Sequence, residues 1–267
     1  MTTNILYFGK EAYELDSYFK KRGFEYKNEL ISLDTSINEP ESIETHFESY
    51  QPSLQVDDSN QLWAILVAGN AINFGSLSVL EKFDKKLINV VYIIPDMVYK
   101  TDFAKKTHKI VYNVLQEYAR SGKFRKISIF DLVEIEKELD NLNFENDNDL
   151  VLDIISYVLI TDYDLDQIKP IKTTVKEVDE AVRIQSYGLL NIETNKEKKM
   201  FDIKYPREVV YRYIVGKDKI KEPLFRKNIL NFLKTQGTEN TKALFDLFEI
   251  EGQNLCLVVR KSSLIQN

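Results

Sequence analysis

Along this chain, short apolar runs alternate with stretches whose apolar residues recur at helical spacing. Asn4 to Phe8 (NILYF) is an apolar run closed by Gly9, which predicts a strand. Behind it, Ala12, Leu15, Tyr18 and Phe19 recur at helical spacing before Gly23, which predicts a helix. Leu30 to Leu33 predicts a second short strand, and the polar stretch Asp34 to Asp58, with Pro40 and Pro52, reads as connection with at most a weak helix. Leu62 to Ala68 is apolar throughout, the pattern of a strand covered on both faces. A helix over Ser76 to Lys86 and a strand over Asn89 to Ile94, ended by Pro95, complete a β-α-β unit. Thr101 to Ser121 is amphipathic through Ala104, His108, Val111, Leu115 and Tyr118; Lys126 to Phe130 predicts another strand, with a short helix after it.

Asn146 to Ile160 then reads as a helix with Leu150, Ile154, Tyr157 and Val158 on one side and further apolar residues at Val151, Ile155 and Leu159. A helix apolar almost all round belongs between layers. Beyond it come strands at Gln185 to Glu193 and Val209 to Val215, a helix at Leu224 to Leu233 opened by Pro223, and strands at Ala243 to Ile250 and Leu255 to Lys261. A helix is the alternative for ALFDLFEI. The expected fold is therefore α/β: a doubly wound parallel sheet with its crevice at the carboxyl ends of the strands, a buried central helix, and a second, smaller α+β domain with mixed pairing. The expected units are residues 1–145, 146–162 and 163–267. Arg207, Arg212, Lys217, Lys219 and Lys221 read as a solvated strand edge and its turn, where charge discourages unwanted pairing.

With 43% hydrophobic and 29% charged residues in a chain of 267, the composition is that of a globular protein. No apolar run reaches the roughly 20 residues of a membrane span. The start MTTNILYFGKEAYELD has neither the basic opening nor the small-residue cleavage site of a secretory leader, so the expected compartment is the cytoplasm and no membrane partner is expected. One cysteine, Cys256, lies in the apolar run Leu255 to Val259 and is expected to pack in the core. A net charge of −6 argues against a general nucleic-acid binder. The charge is uneven: Asp131 to Asp153 carries nine acids against one Lys, a net of −8, while Phe201 to Asn267 carries a net of +4. Two solvated faces explain this, as do complementary ends of a self-associating protein. His46 and His108 have no metal-ligand spacing, so no metal site is expected, and no G-x-S-x-G elbow supports a serine nucleophile.

The segment Trp63 to Phe83, WAILVAGNAINFGSLSVLEKF, carries the candidate chemistry. A strand, a small-residue turn and a helix is how nucleotide-binding folds build a phosphate site, because helix-start N–H groups converge on the anion. Such a loop needs residues free to take positive φ and to bring backbone close to oxygen, which glycine does without a Cβ clash. Here Gly69 and Gly75 remain, with Asn70, Ala71, Ile72, Asn73 and Phe74 between them.

In the order of these segments, AILVAGNAINFGSLSVLEKF resembles the strand, glycine-rich phosphate loop and helix of the tubulin/FtsZ family, with Ala68-Gly69 at the loop's opening and Gly75-Ser76 at its end. INVVYIIPDMVYKTDFAKKTHKIVYNVLQEYARSGKFRKISIFDLVEIEKEL is similar to the following strand, ribose-side loop, long helix, strand and short helix, and NDNDLVLDIISYVLI takes the place of the core helix whose start contacts the base. The resemblance spans about the middle 100 residues by motif and the C-terminal part by layout. It implies GTP or GDP as cofactor, held by Gly9, Lys10, Gly69, Asn70, Asn73, Gly75 and Ser76, with Asn146 and Asn148 reading the base. It also implies head-to-tail self-association, in which an acid from a loop after the core helix, here Asp162, Asp164 or Asp166 in TDYDLDQIKP, acts on the neighbour's nucleotide.

The departures bear on activity. The family's loop is usually GGGTGTG, and Asn70 to Ser76 keeps one of those glycines; the first loop offers Gly9 followed by Lys10, Glu11 and Ala12. Lys10 supplies either a charge for a phosphate or a solvated helix start, and Asn146 and Asn148 serve equally as helix caps. The sequence thus points to a structural or filament-forming protein with weak or lost GTP hydrolysis, and with no cofactor if the loop is inactive. The alternatives are an active GTPase binding through Asn70, Asn73, Ser76 and backbone donors, and a non-polymerising module for a heterologous protein partner, as in a viral or plasmid-borne assembly.

Overall fold

The computed structural model describes residues 3–34, 36–37, 39–56, 60–83, 88–139, 147–175 and 181–266, and of residues 147 and 148 the backbone alone. Five strands form the parallel half of the sheet: β1 (Thr3–Phe8), β2 (Tyr26–Ile31), β3 (Gln61–Val67), β4 (Ile88–Ile94) and β5 (Lys126–Asp131), in the order β2-β1-β3-β4-β5. Every residue of β1, β3 and β4 is buried. Leu62, Ala64 and Leu66 join the core on one side of β3, and Trp63, Ile65 and Val67 the core on the other. The sheet is covered on both faces, which is why these strands are apolar without alternation.

The first crossover carries α1 (Lys10–Tyr13) and α2 (Leu15–Lys21), and α3 (Pro40–Glu48) follows β2. After β3 come a 3-10 turn (Ala71–Gly75) and the short α4 (Ser76–Leu80). Helix α5 (Asp102–Arg120) is capped by Thr101, whose hydroxyl accepts from the Ala104 N–H, and α6 (Leu132–Glu138) by the Asp131 carboxylate. The chain leaves β1 toward β2 and returns on the other side of β1 as β3, so the strand order reverses between β1 and β3. In open α/β sheets that reversal opens the ligand crevice at the carboxyl ends.

Helix α7 (Asp147–Gln167) buries Val151, Ile155, Val158, Leu159 and Leu165 against the sheet. Beyond it lie β6 (Lys172–Thr173), β7 (Ile184–Leu190), β8 (Glu197–Lys199), β9 (Glu208–Val215), α8 (Lys217–Lys221), α9 (Phe225–Gln236), β10 (Lys242–Glu249) and β11 (Asn254–Ser262). They continue the sheet as β5-β7-β11-β9-β10-β6, with β8 on β7. Pairing there is mixed: β9 and β10 are parallel, while β11 is antiparallel to both β7 and β9. The junction with the parallel half is two residue pairs long, Ile127 with Ile184 and Ser128 with Gln185. Among the described residues no helix is long and apolar enough to cross a membrane.

Several elements depart from expectation. β2 starts at Tyr26 rather than Leu30, because the polar Tyr26 and Asn28 side chains both donate to the Asp16 carboxylate, at 2.7 and 2.6 Å. Helix α4 starts at Ser76 as expected but stops at Leu80, well before Lys86, and a 3-10 segment precedes it. On α7 the buried stripe runs through Val151 and Ile155, and Leu150 is 43% exposed. That helix also runs on to Gln167, so the acids after Ile160 lie in helix and not in a loop. The basic stretch is no edge either: β9 is paired on both sides, Arg212 points into its interior cluster, and Lys217, Lys219 and Lys221 lie on α8.

Candidate functional site

Two glycines meet at the strand-order reversal. Gly9 ends β1 with φ +89, and Gly69 ends β3 with φ +85; both are left-handed, the region where a Cβ is strained. The Gly9 N–H donates to the Ile31 carbonyl at 3.0 Å, tying the first loop to β2, and Lys10 opens α1 with its side chain exposed. Gly69 is backed by α5, with Ala104 Cβ 3.2 Å and Met97 Cε 3.6 Å from where its own Cβ would stand.

The two loops touch through Ile72. Its Cγ2 lies 3.5 Å from the position of a Cβ on Gly9, and Asn70 Nδ2 lies 3.8 Å from the same point. Ile72 is 5% exposed and belongs to the core below. Asn73 turns inward: its Nδ2 donates to the Val67 carbonyl at 2.7 Å, and its Oδ1 is a buried acceptor with no partner among the described residues. The Ser76 hydroxyl donates to the Asn73 carbonyl at 2.7 Å. Gly75 has an ordinary φ of −86, and its hydrogen faces Phe47 of α3, where a Cβ would stand 2.0 Å from the ring.

Of the residues that the sequence assigns to a nucleotide, the fold thus brings Gly9, Gly69 and Asn70 together at the crevice. Lys10 stands beside them at the start of α1, while the Asn73 and Ser76 side chains bond their own backbone and Gly75 serves packing. Asn146 lies outside the described residues, as does the side chain of Asn148.

The three acids separate. Asp162 is fully buried at the far end of α7, and both of its oxygens are occupied: Oδ1 accepts from Arg212 Nη1 at 2.7 Å, and Oδ2 from Lys126 Nζ at 2.7 Å and the Tyr187 hydroxyl at 2.8 Å. Burial alone would raise its pKa, but Lys126 and Arg212 outweigh it and hold the carboxyl well below the usual range. Burial, with Asp162 beside it, pushes the Tyr187 phenol far up. Asp166 pairs with Arg212 Nη2 at 2.7 Å, and Asp246 lies 3.9 Å from Arg212 Nε. Asp164 is exposed, outside this cluster.

Lys126, Tyr187 and Arg212 were not legible as partners of Asp162. One signal existed: Arg212 interrupts the apolar run VVYRYIV, and a cation there must find an acid or break the strand. Among the described residues no group of three or more His, Cys, Asp or Glu could hold a metal ion.

No family model matches this sequence, and no curated protein matches it either. Solved structures do. CetZ2 from Haloferax volcanii, in a GTPγS-bound protofilament, superposes with a TM-score of 0.70 at 13% identity over 97% of this chain and 92% of that one. TubZ from Bacillus thuringiensis serovar israelensis, in a GTPγS-form protofilament, gives 0.65 at 12% identity over 98% and 86%. An empty FtsZ dimer from M. jannaschii gives 0.64 at 10% identity over 98% and 88%.

Proposed function

We propose, from the premise that this chain has a tubulin/FtsZ-like fold, that it is a self-assembling structural protein whose subunits stack head to tail and whose GTP hydrolysis is lost. The observation that carries the reading is Ile72 seated against Gly9. A triphosphate tail in the crevice between β1 and β3 would have to approach the backbone at Gly9, where Ile72 Cγ2 lies 3.5 Å from the position of a Cβ. Asn73 presents an acceptor, not a donor, and the Ser76 hydroxyl is already engaged, so the residues present do not fit that group. Nor are Asp162 and Asp166 free to orient a water, since both carboxylates hold Arg212.

Self-association is supported by the solved structures, of which CetZ2 and TubZ are described as protofilaments. Exposed apolar residues also lie at both ends of the parallel half. Val98 and Tyr99, the latter 87% exposed, follow the carboxyl end of β4. Ile168 and Ile171 follow α7, whose last turns reach Lys126 at the amino end of β5. A pair of unlike surfaces at opposite ends makes a heterologous contact that propagates as a filament.

Sedimentation and electron microscopy at high protein concentration and low salt are expected to show filaments with and without GTP; a strict monomer in both conditions would refute the reading. Calorimetric titration with GTP or GDP is expected to give no heat, and submicromolar binding would restore the active-GTPase alternative. The variant Ile72→Gly, which removes that side chain from beside Gly9, is expected to gain measurable GTP binding over wild type. Tyr99→Asp places a charge in the exposed apolar surface and is expected to raise the concentration needed for assembly about tenfold, with the melting temperature unchanged.

A further inference from the structure

The sheet has two edges, β6 at one end and β2 at the other. At the first, β6 covers β10 at Asp246 and Leu247, and the flanking Ile171 and Thr174 N–H groups donate to the Leu247 and Phe245 carbonyls. At β2, the Ile31 carbonyl accepts from the Gly9 N–H at 3.0 Å. By the alternation of a strand, Lys27, Glu29 and Ile31 therefore turn their backbone groups toward β1, and Tyr26, Asn28 and Leu30 turn theirs away. The N–H and C=O groups of Tyr26, Asn28 and Leu30 make no hydrogen bond among the described residues. Such a row is a template for another strand.

Which strand fits is set by the edge's own sequence, YKNELI. Antiparallel pairing with a second copy of β2, centred on Asn28, sets Lys27 against Glu29 of the second copy on both sides of the axis, and Tyr26 against Leu30. Opposite charges and aromatic–aliphatic pairs facing across strands are stabilising. Centring on Lys27 or on Glu29 instead sets two like charges face to face, which is destabilising. The Asn28 register is also the one that gives every outward residue an outward partner: Tyr26 with Leu30, Asn28 with Asn28 and Leu30 with Tyr26, each exchanging both backbone bonds. Lys27 is exposed and makes no ion pair among the described residues. The Glu29 carboxylate is held in place by the Tyr50 hydroxyl and the Ser53 and Leu54 N–H groups. Burial opposes its ionisation, but those bonds outweigh burial and keep its pKa below the usual range, so an anion stands ready for Lys27 of the second copy.

We propose that β2 pairs with β2 of a second copy of this chain, antiparallel and centred on Asn28, so that two sheets become one. The contact is two-fold and closed, unlike the head-to-tail contact, and uses a different surface; it does not rest on that stacking. One such strand pair is a small interface and weak by itself. Where subunits are stacked, the same pairing repeats along the filament and joins two filaments that run in opposite directions.

The first test is made on the wild-type protein. Amide hydrogen exchange at Tyr26, Asn28 and Leu30 should slow about threefold from dilute to concentrated solution, while that at Lys27, Glu29 and Ile31, already bonded to β1, should not change. The second test traps the pair through Asn28→Cys. Asp16 keeps Tyr26 and Lys20 when Asn28 is replaced, and Cys256 is buried, so the new thiol is the accessible one. Hydrogen-bonded antiparallel partners have Cα atoms about 5.5 Å apart, within disulfide reach. Mild oxidation should give a covalent dimer about fivefold faster than Lys109→Cys, a control on the exposed side of α5. Adding Lys27→Glu sets like charges opposite each other and should return the rate to that of the control. Tyr99→Asp, which weakens stacking, should leave the cross-link intact, so loss of stacking and loss of strand pairing are told apart. Exchange independent of concentration, a cross-linking rate equal to the control, or a rate unmoved by Lys27→Glu would each overturn the proposal.

Discussion

Replacing Asp162 by alanine should destabilise the fold by about 3–5 kcal/mol, more than any other single substitution in the family-implied site. The carboxylate takes bonds from Lys126, Tyr187 and Arg212, which come from β5, β7 and β9, so it ties α7 to both halves of the sheet. Removing it leaves two cations without their principal partner in a buried setting; Arg212 keeps Asp166, and Lys126 keeps no carboxylate among its described contacts. Urea unfolding at pH 7 should show the loss as a lower midpoint, and the melting temperature should fall by roughly 10 °C. Asp162→Asn keeps the shape without the charge and should fall between the two. Because the pair is buried, added salt should change the difference little.

The pH dependence has a definite sign. The folded carboxyl titrates well below an unfolded aspartate, whose pKa is about 3.9, so its contribution is fully present above that value and is lost as pH falls toward the folded one. The gap between wild type and Asp162→Ala should therefore be constant from pH 7 to pH 5 and narrow below pH 4. A catalytic Asp162 would behave otherwise: the variant would fold with wild-type stability and lose only a GTPase activity. Stability equal to wild type would refute the structural role.

Gly75→Ala should destabilise by about 2–3 kcal/mol, although the backbone there suits any residue. Its Cβ would stand 2.0, 2.7 and 2.9 Å from three atoms of the Phe47 ring, and that ring is fully buried in the core. Shrinking the ring in Gly75→Ala/Phe47→Leu should recover part of the loss, so the two substitutions combined should cost less than their sum. Gly69→Ala tests the other requirement. With φ +85 it should be strained by about 1–2 kcal/mol whatever surrounds it, and no partner substitution should relieve it. Equal stability of Gly75→Ala and wild type in urea would show that α3 does not press on this turn.

These two glycines show where reading the chain reached the site and where it stopped. That a strand ends at Gly69 and a turn precedes Ser76 was legible in WAILVAGNAINFGS, because six apolar residues in succession, then a turn bounded by two glycines, have few other uses. That Gly75 is retained for Phe47, 28 residues earlier, was not, since close approach leaves no trace in local pattern. The acids failed similarly. Asp162 follows Val158 and precedes Leu165 on the buried stripe of α7, but TDYDLD reads as a polar exit from a helix unless its partners at 126, 187 and 212 are known. Two- and three-residue strands such as β6 and β8 carry no periodicity to detect.

What the sequence determined by itself is the layered frame: uninterrupted apolar strands that can exist only between two covering layers, the long α5 and α7, and the mixed C-terminal pairing. Those follow from local periodicity, which fixes which face of each element must leave water. What only the tertiary structure decided is how the charged and small residues are used, because a carboxylate, a guanidinium or a glycine takes its role from what stands opposite it. Ile72 against Gly9 and Arg212 between Asp162 and Asp166 are contacts between residues distant in the chain.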